Sequence, residues 1–187
     1  MLWLALTAAI ALQDDLCPLQ EGTAWTYETK ERNGPSEAIR ETVSRVRGLT
    51  SGDWLEVTDF LFYETAYVRT SDQGFEFRAP EYGEHSLLLF KRGARVGDSW
   101  ISTLTDEEDV HYRVEAEDQI DVPAGRFRAF RVSFVVSESR PRSHERCGEG
   151  AIWFSPGTGI VKGWIDRDLD CHAGVTRSFA LKSIEKR

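Results

Sequence analysis

Hydrophobic and polar residues alternate with a period of two along most of this chain. That is the pattern of strands that turn one face to a core and the other to water. The alternation is cleanest over 126–136, where Phe130, Val132, Phe134 and Val136 share one face and Ala129, Arg131, Ser133 and Val135 the other. Val110, Tyr112, Val114 and Ala116 alternate in the same way with charged or polar neighbours. Thr105 and Glu108 match a helix capping box, but the alternation through Ala116 predicts a strand there instead. Further strands are predicted over Ala24–Glu31, Ile39–Arg47, Trp54–Phe62, Ala66–Ser71, Phe75–Ala79, Ala151–Ser155, Ile160–Asp166 and Val175–Ile184. The expected fold is all-β: a curved antiparallel meander forming a half-barrel, barrel or sandwich.

Turn signals separate these segments. Ser71-Asp72-Gln73-Gly74 reads as a hairpin loop, and Val122-Pro123-Ala124-Gly125 reverses the chain before the strongest strand. In Ser155-Pro156-Gly157-Thr158-Gly159, proline presets one backbone angle and the glycines permit positive φ. An internal echo accompanies these turns. Gly22-Thr23-Ala24-Trp25 resembles Gly97-Asp98-Ser99-Trp100, each a glycine turn feeding a strand anchored by tryptophan, 75 residues apart. Two copies are too few for a solenoid, so the echo predicts two sheet halves built alike.

Three segments together resemble a broad set of exported bacterial proteins of unknown function. They are the Gly-x-x-Trp strand openings, Val122-Pro123-Ala124-Gly125-Arg126-Phe127 and Trp153-Phe154-Ser155-Pro156-Gly157-Thr158-Gly159. That set has a V-P-A-G-x-F strand followed by a W-F-x-P-G-x-G hairpin, and is similar in architecture to periplasmic lipoprotein carriers, whose curved sheet wraps an apolar groove. The resemblance implies a fold. It carries little about activity, since turn and core geometry explain all three segments. The carriers also close their groove with helices, and this chain shows no clear amphipathic helix.

The N-terminus bears on location. Leu2–Leu12 is apolar apart from Thr7, then turns polar at Gln13-Asp14-Asp15. Eleven helical residues rise about 16 Å, short of a bilayer core of about 30 Å. Residues 1–11 therefore read as a signal peptide with Ala9-Ile10-Ala11 at its cleavage site, and 12–187 as one β domain. The expected location is periplasmic or extracellular, and no integral membrane protein is expected. No Lys or Arg precedes the apolar run, and a buried N-terminal strand or helix is the plainer alternative. Asp14-Asp15-Leu16 before Cys17 is not the small apolar run expected of a lipidation site.

A chain of 187 residues with 41% hydrophobic and 29% charged residues can bury a core as one domain. The formal charge of -8, with no basic stripe, excludes nucleic acid as the natural partner. In an oxidising compartment Cys17, Cys147 and Cys171 leave room for one bridge and one thiol, and three pairings can be drawn. A Cys147–Cys171 disulfide is the simplest. His144, Cys147, Cys171 and His172 also form a zinc-type set, although adjacent residues of an extended segment point to opposite faces. Asp166, Asp168 and Asp170 fail as a calcium loop, because Cys171 and Arg177 stand where glycine and glutamate are needed. No metal or cofactor is expected.

There is no G-x-S-x-G, H-E-x-x-H or P-loop. Five tryptophans fall in strand patterns, where core packing is the default role of such residues. Trp164 shares a face with Ile160 and Lys162, and a lysine there argues against full burial. Trp153, Lys162 and Trp164 are therefore the expected ligand-contacting residues. The leading expectation is a non-catalytic envelope protein binding an apolar ligand or lipidated partner in a curved sheet. A structural or protein-interaction module and an enzyme with an unrecognised site are the alternatives.

Overall fold

In the computed structural model the structure describes residues 16–33, 36–49, 53–61, 63–138, 146–167 and 175–186. Twelve strands follow one another: β1 (Ala24–Asn33), β2 (Ser36–Leu49), β3 (Leu55–Phe60), β4 (Tyr63–Thr70), β5 (Gly74–Arg78), β6 (Leu87–Lys91), β7 (Ser99–Thr105), β8 (Glu108–Val122), β9 (Gly125–Glu138), β10 (Arg146–Ser155), β11 (Gly159–Arg167) and β12 (Val175–Glu185). A 3-10 turn, Pro80–Tyr82, joins β5 to β6, and no α-helix occurs among the described residues. None of them forms a helix able to cross a membrane. The signal-peptide reading of 1–11 lies outside the described residues.

All twelve strands belong to one antiparallel sheet in the order β6-β5-β4-β3-β2-β1-β12-β11-β10-β9-β8-β7. Except for β6 and β7, each strand pairs with its neighbour in sequence, and β12 pairs with β1 from Ala24↔Glu185 to Arg32↔Thr176. The sheet is thus an up-and-down barrel whose gap falls in mid-chain, between β6 and β7, rather than at the termini. It divides into two six-stranded meanders, β1–β6 and β7–β12.

Those halves open alike, as the echo predicts. Gly22 (φ 84°) donates to Val46 O at 3.0 Å, while Val46 N–H returns to Thr23 O at 2.9 Å. Gly97 (φ 96°) donates to Val114 O at 2.9 Å, and Val114 N–H returns to Asp98 O at 2.9 Å. Both positions need a left-handed backbone that a side chain resists. In both, the strand two residues later aims a tryptophan N–H at a carbonyl: Trp25 to Thr158 O at 3.2 Å, Trp100 to Leu88 O at 2.6 Å.

The Trp100 bond lies across the gap. Ser102 Oγ accepts from Leu88 N–H at 3.0 Å, so both backbone groups of Leu88 are satisfied by side chains of β7. The barrel is nearly closed by this seam, without a ladder. Satisfying an open edge in this way limits pairing with other chains.

The ten strands predicted from alternation and turn signals all fall on strands. Gly157 (φ 81°) and Gly159 (φ 96°) take the left-handed backbone expected of that hairpin. Thr105 belongs to a hairpin turn rather than a helix cap, its Oγ1 accepting from Glu107 N–H at 3.2 Å. One correction concerns β9. Val132 and Val136 are buried, but Phe130 and Phe134 are only partly so, and Ala129 on the other face is fully buried. Phe127, opposite Ile120 on β8, and Ala124 also pack against the core from this hairpin. Its tip is tied back by Ala124 N–H to Leu181 O at 3.0 Å.

Candidate functional site

The barrel interior is filled unevenly. Towards the end bearing the β4–β5, β6–β7 and β10–β11 connections, Phe75, Phe90, Phe130 and Phe154 pack ring on ring. Phe90 and Phe154 are stacked at 4.3 Å, with Phe75 at 5.5 Å from Phe154 and Phe130 at 5.4 Å from Phe90. The start of the described chain reinforces that end. Leu16 and Cys17 are buried, Leu16 O accepts from Gly157 N–H at 3.1 Å, and the Cys17 thiol faces Thr158 O at 3.8 Å. Tyr27 donates to Ile160 O at 2.8 Å, and burial, then the neighbouring Cys17, pushes its phenol far above the usual range.

The opposite end keeps a cavity of about 70 Å³. Its walls come from both meanders: Leu61, Tyr63, Phe77, Tyr82, Leu87 and Leu89 from the first, and Leu104, Val110, Tyr112, Phe134, Val136, Ile152 and Ile165 from the second. Gly148, Glu149 and Asp166 complete the lining. A glycine makes part of this space. The Phe134 ring lies over Gly150, its register partner on β10, and a Cβ there would meet that ring and come within 2.5 Å of Trp164 O.

Three phenols punctuate the apolar wall. The hydroxyls of Tyr63 and Tyr82 hydrogen-bond to each other, and their rings meet edge-on at 5.8 Å. Tyr112 is sandwiched between Trp100, stacked at 5.4 Å, and Phe134 at 5.9 Å. Burial, reinforced by Tyr82, drives the Tyr112 phenol well above its ordinary range, so it stays neutral and can donate a proton to a hydrogen bond. This lining offers apolar contact, uncharged phenol donors and, from Glu149 and Asp166, two carboxylates.

The residues expected to contact ligand are together, but elsewhere. Trp153 and Lys162 are register partners, with the ammonium 5.0 Å from the Trp153 ring centroid, and Trp164 pairs with Ala151 beside them. Ile152 and Ile165 alternate with these positions and face the cavity, so Trp153, Lys162 and Trp164 occupy the outer face of the sheet and contribute nothing to its lining. The cavity residues escaped sequence reading because they are scattered over eight strands and two connections. The available signal was Leu87-Leu88-Leu89-Phe90, an apolar run bounded by turns that reads as a buried strand.

His144, Cys171 and His172 lie outside the described residues, as does the side chain of Cys147, so the bridge and the zinc set fall there too. Among the described residues no group of three His, Cys, Asp or Glu is placed to hold a metal ion.

The fold and cavity define an up-and-down barrel with an apolar interior at one end. No protein-family model matches the chain, and no curated protein matches it by sequence. Solved structures do share the fold. A Bacteroides fragilis protein predicted to be exported, with a YmcC-like fold, aligns over 91% of this chain and 98% of its own, at 15% identity and a TM-score of 0.52. A predicted lipoprotein of Parabacteroides distasonis aligns over 92% and 99% at 15% identity and a TM-score of 0.44. The hypothetical lipoprotein YmcC of Escherichia coli aligns over 94% and 89% at 8% identity and a TM-score of 0.42.

Proposed function

We propose that this protein is a non-catalytic component of the cell envelope, periplasmic or extracellular, that holds an apolar ligand in the unfilled end of its barrel. The observation that carries the reading is the cavity itself. One end of the interior is packed with stacked phenylalanines, while the other leaves apolar walls unfilled. A void of this kind forfeits dispersion contacts that a ligand can restore. The export predicted for the Bacteroides fragilis protein of the same fold supports the location, as does the apolar run at Leu2–Leu12.

Size narrows the ligand. A cavity of roughly 150 Å³ accepts benzene, and this one has about 70 Å³. As it stands it takes a short apolar molecule, or the end of a longer one such as the chain of a lipid or lipidated partner, and not a whole acyl chain. Native mass spectrometry of the protein purified from an envelope fraction tests this. The expected result is a retained small apolar adduct that disappears in Val136→Phe, which fills the cavity. A folded wild-type protein with no adduct, even after incubation with candidate lipids and short-chain esters, would contradict the proposal.

A further inference from the structure

The Tyr112 hydroxyl stands apart from every other buried polar group at the cavity. Tyr112 is only 3% exposed and lines the space, yet its hydroxyl makes no hydrogen bond among the described residues. Tyr63 and Tyr82 across the cavity satisfy each other. A hydroxyl that keeps its small exposure towards the cavity and has no partner in the described wall is left to donate to whatever enters.

We propose that Tyr112 is the polar recognition point of the cavity, and that the ligand is an uncharged apolar molecule bearing an acceptor oxygen: a ketone, an ester or an ether. The inference rests on the apolar-ligand reading above. Charge decides against a free carboxylate or phosphate. Among the described residues no Lys, Arg or His lines the cavity, while the carboxylates of Glu149 and Asp166 do, and an anion buried beside them without a cation is costly. A phenol held neutral by its surroundings donates to a carbonyl without moving a proton. The Trp100 and Phe134 rings on either side fix the Tyr112 ring, so the donor direction is set before the ligand arrives.

Butanone and xenon separate the two levels of the argument. Xenon needs only an apolar void, whereas butanone adds one acceptor and no donor. Binding to the intact protein is followed by amide chemical shifts. Tyr112→Phe should weaken butanone about fivefold to tenfold, the effect of one hydrogen bond, and leave xenon within about twofold. Its thermal midpoint should be equal to or above that of the wild type, because the hydroxyl it removes has no partner. Three results would overturn the inference. Equal butanone affinity in both proteins would show that the phenol does not recognise the oxygen. A lowered midpoint would show that the hydroxyl has a structural partner. If the wild type binds neither probe, the apolar-ligand reading itself fails and this inference falls with it.

Discussion

At the scale of single residues, the cavity depends on what is missing as much as on what is present. Gly150 leaves room for the Phe134 ring on the adjacent strand, and the near approach of Trp164 O means that an added methyl must move backbone. Gly150→Ala should therefore destabilise by about 1–3 kcal/mol, measured by urea denaturation. A neutral result would mean that the Phe134 ring rests elsewhere. Phe134 was expected from the alternation to be a plain core residue. It is partly exposed and faces the void, so Phe134→Ala should cost about 2–3 kcal/mol, less than the roughly 3–5 kcal/mol of a fully buried phenylalanine. Which residues face inward was legible along β9, because period two is a local property. How completely each is covered was not. Coverage of Phe134 depends on β8 and β10, and Ala129 is fully buried although it stands on the opposite face.

At the scale of strands, the sequence was most legible where a turn residue and a periodic run coincide. The Gly22 and Gly97 openings are the clearest case, since the two-residue exchange with Val46 and Val114 is the same in both. β6 lacks the alternation that marks the other strands: Leu87-Leu88-Leu89-Phe90 is apolar throughout, because Leu88 on its outward face is itself partly buried at the seam. That seam is the weakest join in the barrel, held by Ser102 Oγ and Trp100 Nε1 rather than by a ladder. Ser102→Ala should remove about 1 kcal/mol. Amide hydrogen exchange should speed up locally at Leu88 while the amides shared by β1 and β12 keep their protection. Equal acceleration in both places would mean that the barrel opens only as a whole. The outer hairpin charges matter less. Arg126 holds the Asp121 carboxyl below its usual range through a hydrogen bond, so the pair contributes above the ordinary carboxylate pKa and is lost as pH falls through the lowered one. Both groups are fully solvated, so removing Asp121 should shift the acid melt only slightly.

At the scale of the whole molecule, two six-stranded meanders meet along β1–β12 and face each other across the seam, and the cavity draws walls from both. The sequence announced two similar halves and an all-β sheet. It could not announce that residues as far apart as Leu61 and Ile165 would share one void, because that follows from closure of the barrel and not from any local pattern. The same closure placed Trp153, Lys162 and Trp164 on the outside, where periodicity alone could not tell an inner face from an outer one. A crystal of the protein pressurised with xenon tests the central claim most directly. The account predicts a xenon peak at the open end of the barrel, within contact distance of Phe77, Leu104, Val136 and Ile152. A well-ordered barrel with that space empty, or filled by ordered water, would contradict it.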